Sequence, residues 1–291
     1  MTTTSSPYAG TKVLSIGGSR NIGYFASIRL LEKGATVTFL LRSGPAVFDK
    51  NTTIQKYVKS GKARLIKGDA LNKEDVRKAW EEAAKGEGWV SVGILLFTVG
   101  GTPKFELGKG FTISPPNLVT QSLLNVISTH PATFSQPKII ILSSTGLTKS
   151  SHSNLPFIQK PLYKYLLNGP HSDKVGMEKI ISHCAGWEWK DGDVKKGDIL
   201  SKGDKWKEGL PAAGTLKSVA VIRPALLTDG ECKADKLAGK DKKGKEKEAY
   251  RVKEGDIGGY SVSRKDVAHF VVEGILAEWR KWEGKCVNIA Y

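Results

Sequence analysis

The hydrophobic residues of this chain fall into short runs that are separated by longer amphipathic stretches. Most of the runs are apolar throughout, without alternation, which predicts strands buried on both faces of a sheet. The stretches between them have helical spacing, and this alternation is typical of parallel strands joined by crossover helices. The predicted strands are Lys12–Ile16, Thr36–Leu41, Arg64–Lys67, Val92–Phe97, Lys138–Leu142, Val219–Ile222 and Val287–Ile289.

Several of the predicted helices have recognisable ends. The first begins at about Asn21, and Gly34 ends it because glycine adopts the left-handed conformation at least cost. The third crossover helix opens after Asn72, whose side chain is suited to capping the amides of the next turn. A late helix begins at Arg264, with Ser263 placed as its capping residue. These signals support a helix between successive strands.

The alternation of strands and helices predicts an α/β protein with a doubly wound parallel-sheet Rossmann fold and loop insertions. We expect one domain over residues 10–291, preceded by a flexible N-terminus over residues 1–9. Two segments, about 186–216 and 229–259, are rich in Gly, Lys and Asp and poor in apolar periodicity. We interpret both as insertions, and we expect tryptophans such as Trp206 to pack the first one down.

Composition excludes several classes of protein. Of the 291 residues 40% are hydrophobic and 25% charged, as in ordinary globular proteins, and no apolar run approaches the roughly 18 residues needed to cross a bilayer. We therefore expect no membrane partner. The cysteines at 184, 232 and 286 form no Cys-x-x-Cys, so neither a disulfide framework nor a zinc knuckle is predicted. This usage favours a reducing compartment, and we expect a cytoplasmic protein.

The net charge of +16 raises the question of a polyanionic partner. Nucleic-acid binding rests on charge alone, since no aromatic-studded basic stripe or known nucleic-acid motif accompanies it. In the lysine-rich run Lys240–Lys247, acidic residues and glycines are interspersed, and we interpret it as a solvated loop. Nucleic acid is therefore not an expected partner.

The stretch Lys12–Ser43 carries the most informative chemistry: a strand, a glycine-rich turn, a helix and a second strand. Gly17 serves the tight turn, and Gly23 permits close contact between helix and strand. Backbone amides at a helix start face a pyrophosphate with the helix dipole behind them. The sequence therefore predicts a dinucleotide site at this turn. Its expected binding residues are Gly17, Ser19, Arg20, Asn21, Ile22 and Gly23.

The end of the second strand indicates which dinucleotide is bound. An NAD site usually has Asp or Glu there, and that carboxylate would repel an added phosphate. This chain has Arg42 followed by Ser43, and Arg20 in the turn can approach the same ribose. Two guanidiniums and a hydroxyl can hold a 2′-phosphate by charge-assisted hydrogen bonds. We therefore predict NADP(H) as the cofactor.

These residues carry a resemblance to a known family. The segment Ile16–Gly23 resembles the Thr-Gly-x-x-x-Gly-x-Gly turn of the short-chain dehydrogenase/reductase superfamily, with Asn21 in place of the middle glycine. Similar matches extend over nearly the whole chain. The segments Arg223–Asp229 and Ser263–Ala268 resemble the atypical branch, in particular its NmrA-like and flavin-reductase-like (biliverdin reductase B type) members.

The resemblance also implies roles for residues after the later strands. Asp69 is similar to the family's adenine contact, although it is equally suited to satisfying backbone amides at a strand end. The segment Leu142–Gly146 is similar to the one that carries the active serine, and the one after residue 223 to the stretch near nicotinamide. The further residues that the resemblance assigns to the cofactor are Asp69, Ala70, Thr98, Val99, Gly100, Lys174, Pro224, Ala225 and Leu226.

The catalytic pattern of this superfamily is incomplete here. Its reductases use a tyrosine to give the proton, and a lysine four residues later lowers the tyrosine pKa and binds the nicotinamide ribose. The lysine best placed in this chain is Lys174, but Pro170 stands in the position of the tyrosine. The usual proton donor is therefore missing from its usual place.

Other groups are candidates for the reaction. Tyr163, Tyr165 and His171 are expected to reach the pocket from the same loop, although an aromatic like Tyr163 is more often a packing residue. Ser144 and Thr145 are better candidates by position, either to stabilise an oxyanion or to hold the carboxamide. The histidines show no His-x-x-x-His or Glu-x-x-His spacing, so no catalytic metal is predicted.

Two functional hypotheses follow. The first is an oxidoreductase that transfers hydride from NADPH to a small carbonyl, enone or flavin-like acceptor, with a small-molecule substrate as its partner. Water can supply the proton for a flavin-like acceptor, so the tyrosine is dispensable in that case. The second is a non-catalytic NADP(H)-sensing regulator of the NmrA-like type, which would bind a protein partner. The missing tyrosine favours the second hypothesis.

Overall fold

A computed structural model describes residues 6–86, 91–102, 104–106, 110–147, 168–189, 199–201, 203–236, 248–255 and 257–291. In this part of the chain the strands are β1 Lys12–Ile16, β2 Thr36–Leu41, β3 Ala63–Lys67, β4 Ile94–Phe97, β5 Lys104–Glu106, β6 Gly110–Thr112, β7 Lys138–Leu142, β8 Val219–Pro224, β9 Leu226–Thr228, β10 Arg251–Glu254, β11 Ser261–Ser263 and β12 Lys285–Ala290. The α-helices are α1 Asn21–Glu32, α2 Thr52–Lys59, α3 Lys73–Ala84, α4 Leu118–Ser128, α5 Asn168–Ala185, α6 Lys233–Lys236, α7 Arg264–His269 and α8 Trp279–Trp282. A π-helix, Phe270–Leu276, continues directly from α7.

One eight-stranded sheet organises the molecule, in the order β10-β12-β8-β7-β4-β1-β2-β3. Its strands are parallel except β10, which pairs antiparallel with β12. The strand order reverses at β1, which pairs with β2 on one side and with β4 on the other. The doubly wound parallel sheet predicted from the sequence is thus confirmed, and the reversal creates a crevice at the carboxyl ends of β1 and β4.

The two faces of the sheet are covered by different helices, which explains the apolar strands. Val13 of β1 belongs to one buried cluster, together with Ile22 of α1 and Val271 of the π-helix. Leu14, the next residue, belongs to a second cluster with Trp80 of α3 and residues of α4 and α5. Because successive side chains of a strand point to opposite faces, both kinds of position must be apolar.

The first insertion packs onto the second of these clusters. Trp206 is buried there and lies edge-on to His183 of α5, and Trp187 packs against the same cluster. The prediction that tryptophans pack this segment down is confirmed for these two residues. In the second insertion, the run Lys240–Lys247 lies outside the described residues.

The second insertion is not only a loop, which corrects the sequence interpretation. It supplies α6, and it supplies strand β10, which extends the main sheet. Within β10 only Val252 is apolar, and an edge strand of this kind leaves little hydrophobic pattern to detect.

A buried carboxylate connects the second insertion to the late helix. Asp266, in the first turn of α7, accepts hydrogen bonds from the backbone amides of Lys233 and Ala234 at 3.2 and 3.0 Å. It also accepts from the hydroxyls of Tyr291 at 2.6 Å and Ser263 at 2.9 Å. Ser263 caps α7 as the sequence predicts, since its Oγ accepts from the Asp266 amide at 3.0 Å. These partners hold the pKa of Asp266 below its ordinary value despite its burial.

Across the described ranges, no helix has the length and apolarity that a membrane crossing requires.

Candidate functional site

The glycine-rich turn after β1 packs directly on the residues that follow β4. Gly17 has a positive φ of +90°, and a Cβ there would lie 2.5 Å from the carbonyl carbon of Thr98 and 2.6 Å from the nitrogen of Val99. A Cβ on Gly23 would overlap the Thr98 hydroxyl. Neither position has room for a side chain, so the turn depends on both glycines.

Asn21 occupies the position of the middle glycine in the motif that this turn resembles. Its φ is +56°, and among the described residues Asn21 is the one non-glycine residue with a positive φ. Asparagine tolerates this left-handed conformation better than other residues with a Cβ, because its short amide forms local hydrogen bonds. The substitution therefore preserves the backbone path of a glycine turn.

The start of α1 suits an anion. Its capping residue, Arg20, forms no side-chain hydrogen bond to the helix, and the first turn contains no acidic residue. Instead the guanidinium of Arg20 donates to Thr102 Oγ1 at 2.7 Å, in the loop after β4. Amides of the first turn thus lack a capping side chain, which is the arrangement of a phosphate-binding helix start.

Basic residues surround the end of β2. Arg42 and Ser43 are exposed there, and the stem of Lys67 lies beside Gly44, since a Cβ on Gly44 would be 3.6 Å from Lys67 Cδ. Lys67 was not identified from the sequence, because only the parallel pairing of β2 with β3 brings it to this point. Arg20 donates its hydrogen bond to Thr102. Binding of the 2′-phosphate by Arg20 and Arg42 together therefore stays a prediction.

The residues after β3 form a rigid corner. Asp69 Oδ1 accepts from the Leu71 amide at 2.9 Å, so this carboxylate does satisfy a backbone amide at the strand end. The Asp69 amide donates to Asp75 Oδ2 at 2.9 Å. The carbonyl of Ala70 accepts from Asn125 Nδ2 of α4, also at 2.9 Å. Contact of Asp69 with adenine stays a prediction.

The hydroxyls after β7 are engaged in different ways. Thr145 Oγ1 lies 3.0 Å from both the Arg223 carbonyl and Asn288 Oδ1, so it joins β7 to β8 and β12. Ser144 is partly exposed, and its hydroxyl forms no hydrogen bond with other described residues. Ser143 is buried, and its hydroxyl donates to Glu178. Ser144 is therefore the hydroxyl best placed to meet a ligand.

The segment after β8 lies at the same edge of the sheet. Ala225 is held by its amide, which donates to the Ile289 carbonyl at 3.0 Å. Leu226, the next residue, is 55% exposed. One exposed apolar side chain thus follows the strand where the resemblance places nicotinamide.

Lys174 reaches this edge from α5. Its Nζ donates to the Ser143 carbonyl at 2.7 Å, and burial lowers the pKa of the ammonium to about 8. Pro170 lies in the first turn of the same helix. His171 is half-buried beside it. Two candidate tyrosines lie outside the described residues, Tyr163 and Tyr165.

Three further charged residues lie near Lys174, and none of them was predicted from the sequence as part of the site. Glu178, one turn further along α5, forms an ion pair with Arg223 of β8. Asp173 is fully buried, and its carboxylate accepts from the amides of Val119 and Thr120 at 2.7 and 2.8 Å. Burial raises the pKa of Asp173, while the two amides oppose that shift. Only the helical spacing of Lys174 and Glu178 was available as a sequence signal.

Within the described ranges, no group of three or more His, Cys, Asp or Glu side chains is arranged to hold a metal ion.

Comparison with known proteins places this geometry in context. No family model matches the chain. The reductase pytE of Aspergillus terreus is 30% identical over 187 residues, which is 62% of this chain and 60% of that protein. The chain thus spans about 60% of the length of the curated relative that it matches.

Several solved structures share the architecture. A double mutant of a short-chain dehydrogenase/reductase from Serratia marcescens superimposes with a TM-score of 0.53 at 15% identity, over 92% of this chain and 91% of that one. A dehydrogenase/reductase from Sinorhizobium meliloti gives 0.53 at 16% identity, over 92% and 88%. BdcA in complex with NADPH gives 0.50 at 13% identity, over 91% and 87%. This chain therefore has the fold of the short-chain dehydrogenase/reductase structures.

Proposed function

We propose that this protein is an NADP(H)-dependent oxidoreductase that reduces a small carbonyl, enone or flavin-like acceptor. The observation that carries the proposal is the turn from Gly17 to Gly23, which opens an uncapped helix start at the switch point of the sheet. The end of β2 is basic, with Arg42 where an NAD site has a carboxylate. The relation to a reductase and the fold shared with an NADPH complex support the same function.

The residues present fit this cofactor. The amides at the start of α1 would bind the pyrophosphate, and Arg42, with Lys67 beside it, would bind the 2′-phosphate. Asp69, in the corner after β3, would contact the adenine. The loop at Thr98, which packs on the glycine-rich turn, would border the cofactor beside that turn. When bound, the reduced nicotinamide supplies the hydride, and the protein supplies binding and orientation. The segment from Pro224 to Leu226 would border that ring, as the resemblance implies.

We propose that the hydroxyl of Ser144 binds the acceptor. Its hydroxyl is not engaged by other described side chains, unlike those of Ser143 and Thr145. A donor fixed at the end of a buried strand can stabilise negative charge that develops on the acceptor oxygen.

We also propose that the protein belongs to the atypical branch, among its NmrA-like and flavin-reductase-like members, and that it acts in the cytoplasm.

Cofactor choice tests the proposal. Arg42→Asp should weaken NADPH binding at least tenfold more than NADH binding, because a carboxylate repels the 2′-phosphate and accepts from ribose hydroxyls. Isothermal titration calorimetry of both coenzymes measures this. Arg280→Asp is the matched control, since Arg280 is equally basic, exposed and distant on α8. Equal NADPH affinity in the Arg42 variant and the control would contradict this phosphate site.

The regulatory hypothesis is the second candidate, and Pro170 in the place of the tyrosine favours it. Purified protein should be offered NADPH with 4-nitrobenzaldehyde, phenanthrenequinone, cyclohexenone and FMN, and absorbance at the reduced-nicotinamide band followed. Oxidation of NADPH by any of these acceptors excludes a purely sensing role. Tight NADPH binding without turnover would instead support a sensor with a protein partner.

A further inference from the structure

A buried ion pair between Glu178 and Arg223 contacts Ser143, the residue before Ser144 of the candidate site. Glu178 is 4% exposed, and the side chain of Arg223 is 17% exposed. Arg223 binds the carboxylate through two nitrogens, with its Nε 3.0 Å from Glu178 Oε1 and an Nη on the other oxygen. The hydroxyl of Ser143 also donates to Oε1. A buried charge of this kind is costly unless it is fully paired, so its position calls for an explanation.

Ser143 links this pair to Lys174. The Ser143 side chain binds Glu178, while the Ser143 carbonyl accepts from Lys174 Nζ at 2.7 Å. Lys174 and Glu178 are one helical turn apart on α5, and the Glu178 charge acts on the Lys174 ammonium. The lysine and the carboxylate are thus held against the same residue at the end of β7.

Among the described residues, Asp173 is the other charge that acts on Lys174, and it also favours the charged ammonium. His171 lies on the same helix. Helix α4, which packs against α5, has no ionisable side chain over Leu118–Ser128. On β12, Cys286 lies close to the Arg223–Glu178 pair.

We propose, resting on the proposed function, that Lys174 gives the proton to the reduced acceptor in place of the missing tyrosine, and that Glu178 is the residue that holds its ammonium charged and in position. Pro170 has no proton to give. The Lys174 ammonium has one, and the carbonyl that it binds belongs to the residue just before Ser144. Arg223 and Ser143 are positioning residues, because they fix the carboxylate of Glu178.

A carbonyl or enone acceptor gains the hydride and its electron pair from NADPH, which is oxidised to NADP⁺, and the acceptor oxygen becomes anionic. An N–H bond of Lys174 breaks as the new O–H bond forms, which leaves a neutral amine. A proton from water then restores the ammonium.

The electrostatics agree with this role. Burial lowers the pKa of Lys174 to about 8, against 10.5 for an ordinary lysine, so its ammonium is a much stronger acid. Glu178 opposes the shift, so Glu178→Gln should lower this pKa further and keep the hydrogen bond from Ser143. In the wild-type protein, kcat should fall as pH rises through about 8, and the Glu178 variant should lose activity at a lower pH.

The test measures the lysine directly as well as through turnover. Competitive acetylation of the coenzyme-free protein with trace acetic anhydride, followed by mass spectrometry of the Lys174 peptide, titrates this amine. We expect a midpoint near pH 8 for the wild type and a lower midpoint for Glu178→Gln. Lys174→Arg should still bind NADPH by calorimetry but lose kcat about 100-fold or more, because its guanidinium does not release a proton. His171→Gln removes another ionisable side chain of this helix segment, and the fall in kcat near pH 8 should persist in this variant because Lys174 is unchanged.

Other outcomes would overturn the proposal. These are a Lys174 midpoint at the ordinary 10.5, an unchanged midpoint in Glu178→Gln, or loss of the pH limb in His171→Gln alone. If Glu178→Gln does not fold, the double variant R223M/E178Q removes both charges and takes its place. Failure of NADPH to bind the wild-type protein would overturn the proposed function itself, a result that calorimetry reports independently of the lysine titration.

Discussion

Single backbone positions determine the shape of the dinucleotide turn. Gly17 and Asn21 both have positive φ, at +90° and +56°; Gly17 lies in the turn, and Asn21 is the first residue of α1. At Gly17 a Cβ would also collide with the backbone of Thr98, whereas Asn21 is exposed. The two positions therefore differ in what they tolerate.

Because Asn21 is exposed, substitutions there test the cost of its left-handed backbone conformation without a change in side-chain packing. Asn21→Ala should lower the free energy of unfolding by about 1 kcal/mol, because alanine has no amide to offset the left-handed conformation. Asn21→Gly should leave it within about 0.5 kcal/mol of the wild type. Chemical denaturation measures both. A loss in the glycine variant as large as in the alanine variant would show that the amide itself is needed.

The neighbouring glycine gives a sharper contrast. Gly17→Ala should unfold at a markedly lower temperature than the wild type, because its Cβ would lie 2.5 Å from a backbone carbon. Gly100→Ala is the matched control, since no atom lies within 4 Å of a Cβ there. Thermal unfolding followed by circular dichroism compares them. Similar unfolding temperatures would contradict the close packing of this turn.

At the scale of elements, α4 is capped from outside itself. Its own capping residue, Asn117, forms no side-chain hydrogen bond to the helix. The amides of Val119 and Thr120 are instead bound by the carboxylate of Asp173, which belongs to α5. This contact joins the first turn of α4 to the second turn of α5, next to Lys174.

The cap predicts unequal effects at two residues. Asp173→Ala should lower the free energy of unfolding by about 1–3 kcal/mol, because two buried amides lose their acceptor. Asn117→Ala should change it by less than about 0.5 kcal/mol, because the Asn117 side chain forms no capping hydrogen bond. Urea denaturation of the two variants measures the difference. Equal losses would mean that Asn117 contributes to the helix start after all.

The same elements show what sequence could predict. Strands β1, β2 and β7 have the predicted bounds, because their apolar runs are bounded by polar or turn residues. Strand β4 begins at Ile94 rather than Val92. Local caps such as Ser263 were visible, since the capping residue and the helix are adjacent in sequence. Asp173 and Arg223 were not, because their partners lie more than 40 residues away and only the fold brings them together.

At the scale of the whole molecule, Asp266 joins the second insertion to the domain. Cys232 of the insertion is buried beside it, with its Sγ donating to Asp266 Oδ1 at 3.3 Å. Burial, together with the nearby carboxylate, raises the pKa of this thiol to about 12. We therefore expect Cys232 to resist alkylation in the folded protein.

Loss of the Asp266 charge should expose this thiol. In Asp266→Asn the amides at the start of α6 lose a carboxylate, so Cys232 should react with iodoacetamide several-fold faster. Asp229→Asn is the control, since Asp229 is exposed and pairs only with Arg264 among the described residues. Mass spectrometry of the alkylated peptides measures both rates. An unchanged rate in Asp266→Asn would show that other contacts hold the insertion.

Lys174 should affect global stability in a pH-dependent manner. Its pKa is about 8 when folded and 10.5 when exposed, so between these values the unfolded chain binds more protons and stability rises with pH. Lys174→Met should therefore be more stable than the wild type at pH 7, by about 3 kcal/mol at most, and this advantage should shrink towards pH 10. Denaturation at several pH values measures it. A constant difference would mean that the ammonium is not desolvated.

Strand β10 has a consequence beyond the insertion that supplies it. It occupies the outer side of β12, whose residues Val287 and Ile289 are fully buried. Without β10, an apolar strand would present unpaired amides and carbonyls to solvent, and such an edge recruits strands of other molecules. A shortened variant that lacks residues 248–255 should therefore self-associate, even if coenzyme binding survives. By pairing with the edge of β12, the polar strand β10 should therefore prevent aggregation.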